Sequence, residues 1–89
     1  MLAKAKELVW FIDIMKVKML KHPEDPNKKT FPEIFNWLQD EVNELKDALQ
    51  CGSKAEIILE CADVANIVYF IARKIKKELI GPCLKGRLW

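Results

Sequence analysis

Gly52 and Ser53 stand side by side between two long helical stretches, and they leave no room for a linker. Glycine just past a run of helical periodicity is a stop signal. Ser53 with Glu56 three residues on is a capping box, which starts a helix. One helix must therefore end where the next begins, and the two fold back as an antiparallel hairpin. The first arm has its own start: Thr30 can cap, Pro32 fits the first turn, and Glu33 completes a second Thr-x-x-Glu box. Ile34, Phe35, Leu38, Val42, Leu45 and Leu49 supply its apolar face. The second arm runs to about residue 80, where Gly81 and Pro82 stop it.

A further helix is expected over residues 2–21. Leu8, Phe11, Ile12, Met15 and Met19 follow the helical period, and Trp10, Ile14 and Val17 form a second stripe beside them. Two prolines and an asparagine in HPEDPNKKT then break the chain. No strand pattern or repeat occurs, so the expectation is all-α: a three-helix chain with a central hairpin. Its 89 residues make one domain, 1–89, with the hairpin at 31–80 and a tail at 81–89. The last helix is apolar almost all round and the first has two apolar stripes, more than three helices of one chain can cover. On burial grounds a homodimer follows, with the hairpins combining into a four-helix bundle.

Composition narrows the function. A formal charge of +2 with scattered lysines gives no case for nucleic acid. The longest apolar tract, 62–72, is too short for a membrane span and contains Asp63 and Asn66. Three cysteines without Cys-x-x-Cys spacing and one histidine, His22, argue against zinc. Free thiols and the absence of a signal peptide suit a cytoplasmic protein.

Within that apolar last helix lie Glu60 and Asp63, with no basic residue beside them in the sequence. The first arm carries Glu41 and Glu44 at the same spacing. Counting from Gly52, Glu44 and Glu60 are equidistant, as are Glu41 and Asp63. In an antiparallel pair the four carboxylates should meet, roughly 12–16 Å from the turn at ~1.5 Å per residue. Like charges at such range repel, and apolar walls strengthen the effect. A divalent cation relieves it. The donors are all hard oxygens, which points to Mg²⁺ (or Mn²⁺), and magnesium with carboxylates suggests phosphate-ester or phosphoanhydride chemistry.

At these residues the chain resembles the MazG-like, all-α nucleoside triphosphate pyrophosphohydrolase superfamily. The matching elements are DEVNE (40–44) and ECAD (60–63), within WLQDEVNELKDAL and ILECADVANIVYFI. The likeness covers about residues 31–77. It implies metal-dependent attack of water on the α-phosphorus of a nucleoside triphosphate, releasing monophosphate and pyrophosphate. It also implies dimers or tetramers. Carried over by position, Glu41, Glu44, Glu60 and Asp63 become the Mg²⁺ ligands, and Glu41 orients or deprotonates the water. Asp40 departs from the pattern, which has glutamate there.

Other residues have two readings each. Asn66, one turn beyond Asp63, either hydrogen-bonds substrate or ties helices together. Tyr69 either reaches a phosphate or base or packs as a core aromatic, and Trp37 either stacks on a nucleobase or packs. Arg73, Lys74 and Lys77 either bind phosphate or complement the helix dipole. A competing function for the whole chain is a non-catalytic helical adaptor whose acidic patch pairs with a partner's lysines. Nothing in the sequence selects the base.

Overall fold

The computed structural model describes residues 2–21 and 25–80. The tail at 81–89, with Gly81 and Pro82, and His22 lie outside the described residues. Four α-helices and one short 3-10 turn follow in order: α1 (Leu2–Glu7), α2 (Val9–Lys21), the turn Pro26–Lys28, α3 (Phe31–Cys51) and α4 (Lys54–Ile80). The described residues contain no strand, and the fold is all-α. The helix expected over 2–21 is broken at Leu8. There the Leu8 N–H reaches back only three residues, to the Ala5 carbonyl at 3.2 Å, before Ile12 bonds Leu8 at 3.0 Å. Neither proline nor glycine marks the break.

Capping fixes the hairpin arms. Thr30 Oγ1 accepts the Glu33 N–H at 3.3 Å, and Glu33 Oε1 accepts the Thr30 N–H at 2.9 Å. The Thr30 backbone donor, then its hydroxyl, hold the Glu33 carboxyl below its ordinary range. At the turn the Gly52 N–H donates to Ala48 O at 2.7 Å. Gly52 has φ −87°, open to any residue, so conformational freedom is not why glycine is there. A Cβ at this position would lie 2.8 Å from Ala48 O, and glycine is what lets the chain pass so close to α3. Ser53 Oγ accepts the Glu56 N–H and donates to Glu56 Oε1, both at 3.2 Å, so the hydroxyl serves both halves of this second cap.

Helix α4 is the central rod, with α3 and α2 both packed against it. Phe31, Ile34, Ala48, Ala62, Ile67 and Phe70 form the buried apolar core. On α3 the line facing α4 is Ile34, Glu41, Ala48, each seven residues apart. That corrects the apolar face expected for this helix. Phe35, Val42 and Leu49 are exposed, and Leu38 and Leu45 only half-buried. The spacing 35, 38, 42, 45, 49 alternates three and four, the pattern of a helix-packing seam. The hairpin partner takes the neighbouring stripe instead. On α2 no residue is buried, and Val9, Trp10, Ile12 and Val17 are exposed, as is Leu8 just before it.

Candidate metal centre

The buried stripe of α3 brings Glu41 into the core, and the facing stripe of α4 brings Glu60 and Asp63. One oxygen from each lies within 4.8 Å of the other two. Glu41 is 8% exposed and Asp63 5%, with Glu60 half-buried. The equal count from Gly52 thus holds for Glu41 opposite Asp63. Glu44 is exposed and stands outside the three-oxygen group, although it helps to raise the Glu41 carboxyl.

Electrostatics in the cluster are unfavourable as it stands. Burial, then the hydrogen bond with Glu44, then the charges of Glu44, Asp63 and Glu60 push the Glu41 carboxyl up to about 7. Burial also raises Glu60, helped by Glu44 and Asp63 and opposed by Lys18. Glu41 Oε2 and Glu60 Oε2 are buried and accept no hydrogen bond. Leaving such an acceptor without a partner costs ~1–3 kcal/mol, more when it is charged. Oxygen donors that converge, are short of donors and repel one another are what a hard divalent cation needs. The residues fit the group.

Sequence alone showed no basic residue beside Glu60 and Asp63, yet the fold supplies one. Lys18 Nζ on α2 is 3.2 Å from Asp63 Oδ2, with its side chain 21% exposed. Helical spacing carried the signal: Lys18 falls on the stripe through Phe11 and Met15 that turns toward α4. Reading that stripe only for apolar residues passed it over.

The remaining candidates divide. Asn66 is 1% exposed; its Nδ2 donates to Met15 O at 3.0 Å, tying α4 to α2, while Oδ1 is buried without a partner. Trp37 is half-buried, stacked on Phe70 at 5.8 Å, with Lys29 Nζ 5.5 Å above its ring. Tyr69 is exposed and tilted against Phe70, beside a depression also lined by Ile12, Met15 and Met19. Arg73 and Lys77 both donate to Asn27 Oδ1, at 2.7 and 3.0 Å, and Lys74 Nζ lies 5.2 Å over the Phe31 ring. The basic end of α4 is thus gathered around the loop and the start of α3, away from the carboxylates.

The comparisons with known proteins bear on this geometry. The model of the phosphoribosyl-ATP pyrophosphohydrolase family matches residues 8–78. The chain belongs to this family. The match takes in α2, α3 and nearly all of α4, and with them every residue of the cluster and Lys18. It sharpens the MazG-like resemblance to one named family of pyrophosphohydrolases, enzymes that hydrolyse an acid anhydride of a nucleotide. Neither the curated proteins nor the solved structures gave a significant match. No helix among the described residues is long and apolar enough to cross a membrane.

Proposed function

We propose that this chain is a Mg²⁺-dependent nucleotide pyrophosphohydrolase, cleaving a nucleoside triphosphate between its α- and β-phosphates to give monophosphate and pyrophosphate. One observation carries the reading: the convergence of Glu41, Glu60 and Asp63, with buried oxygens on Glu41 and Glu60 that have no donor of their own. Glu41, Glu60 and Asp63 would hold the metal, with Glu44 joining from the rim. When bound, magnesium (or manganese) supplies charge neutralisation and polarisation of the phosphoryl oxygens. Glu41 takes the proton of the attacking water. Its carboxyl stands among the converging oxygens, beside where that water would be held.

The family's name makes phosphoribosyl-ATP the first substrate to try. Trp37 would stack on the base only by exchanging a contact it already makes, such as that of Lys29 over its ring. Tyr69, Arg73, Lys74 and Lys77 offer donors to outlying phosphate groups, and Asn66 steadies the α2–α4 contact beside the site. The exposed seam on α3 supports assembly as a homodimer, or a dimer of dimers, with a second copy covering Phe35, Val42 and Leu49.

Product analysis tests the reaction. The purified protein is incubated with Mg²⁺ and a panel of phosphoribosyl-ATP and ribo- and deoxyribonucleoside triphosphates. Monophosphate with pyrophosphate, abolished by chelator, is the expected result. Diphosphate with orthophosphate would overturn the assignment of the bond, and no turnover of any member would overturn the enzymatic reading.

A further inference from the structure

Lys18 is not part of the hairpin that forms the carboxylate cluster. It arrives from α2, a helix with no buried residue of its own, and is half-buried at the contact. Its ammonium lies 3.2 Å from Asp63 Oδ2, and Asp63 is also one of the three residues whose oxygens converge. The same charge opposes the rise in the Glu60 pKa, so it reaches beyond Asp63. It does not satisfy the cluster: Glu41 Oε2 and Glu60 Oε2 stay buried without donors. One monovalent charge therefore faces three carboxylates. A divalent ion at the same place would bind all three and bring a second positive charge close to the ammonium. Two such cations a few ångströms apart repel strongly in a partly buried site.

From this juxtaposition we infer that Lys18 is a tethered stand-in cation, which holds Asp63 while the cluster is without metal and which the divalent ion displaces on binding. The inference rests on the metal-site reading above. Lys18 thus competes with the metal for Asp63, and while it holds that carboxylate it docks α2 over the site. Metal loading exchanges one cation for another and needs no rearrangement of the hairpin. The exchange also leaves a free ammonium at the edge of a metal site, where an anionic ligand of that metal must arrive. Lysine suits this better than arginine, because its ammonium is a compact point charge on a flexible stem.

The test separates exchange from simple structural support, which has the opposite sign. Mn²⁺ affinity is measured by electron paramagnetic resonance titration of wild type and Lys18→Met, with Lys18→Gln as a second variant should the first fold poorly. Exchange requires the variants to bind Mn²⁺ more tightly, roughly three- to tenfold, the range a partly buried ion pair supports. Unchanged or weaker binding in a folded variant overturns the inference. An independent readout needs no variant. The Lys18 side-chain ammonium resonance, followed by ¹⁵N NMR in wild type, should be visible without metal and be lost or shifted to solvent-exchange behaviour on Mg²⁺ saturation. A resonance that persists unchanged on saturation overturns the inference. If neither wild type nor variants bind Mn²⁺ at all, the metal-site reading itself has failed, and the two failures are distinct.

Discussion

Replacing Glu41 by glutamine should stabilise the metal-free protein while destroying the site. The Glu41 carboxyl is raised from 4.5 to about 7, first by burial, then by Glu44, Asp63 and Glu60 around it, with Lys18 the cation in the cluster. A carboxyl with a raised pKa binds its proton more tightly in the folded than in the unfolded chain. Its protonation therefore favours the fold fully below pH 4.5, and that contribution is lost as pH rises toward 7. At ~1.4 kcal/mol per pH unit the loss is at most roughly 3 kcal/mol. Glutamine has the same shape and cannot ionise. Without divalent metal, Glu41→Gln should be about 2–3 kcal/mol more stable than wild type at pH 8, and nearly equal to it near pH 4.5. Mg²⁺ at about a thousand times its Kd should reverse the order, since it stabilises wild type by ~4.1 kcal/mol and the variant hardly at all. Urea unfolding followed by circular dichroism, at one protomer concentration across pH 4.5–8, measures all three. A variant less stable than wild type at pH 8 without metal would refute the reasoning. So would a difference that does not change with pH.

Three further outcomes follow from the same contacts. Glu60→Gln and Asp63→Asn should each lower turnover by more than the roughly 10–100-fold that loss of an outer-sphere metal partner causes, with helical content retained by circular dichroism. Val42→Glu, on the exposed seam of α3, should sediment at half the mass of wild type and keep its helices; a wild-type monomer at micromolar protein would remove the basis for the seam as an interface. Thr30→Ala removes one half of the α3 cap and should cost ~1 kcal/mol in urea unfolding, with no change in Mn²⁺ affinity.

The hairpin was legible because its signals are local. Thr30 with Glu33, and Ser53 with Glu56, act within four residues, and the structure keeps both pairings. The meeting of Glu41 with Glu60 and Asp63 was legible for a related reason: across a turn this tight, sequence distance becomes height along the helices. Which stripe of α3 faces α4 was not legible. Phe35, Val42 and Leu49 make the stronger apolar face, yet Ile34, Glu41 and Ala48 take the contact. Small Ala48 lets the helices close, and the acidic cluster, not the largest apolar stripe, sits between them. Lys18 was hidden because its partner is forty-five residues away and the stripe it shares with Phe11 and Met15 reads as an apolar one. The break at Leu8 has no local signal.

The most direct test is where a divalent ion sits. Crystals grown or soaked in Mn²⁺, with anomalous differences collected at the manganese edge, should show a peak within coordination distance of carboxylate oxygens from Glu41, Glu60 and Asp63, with Lys18 withdrawn from Asp63. A saturated crystal with no peak among those residues, and the Lys18–Asp63 pair intact, would contradict the metal centre and the chemistry built on it.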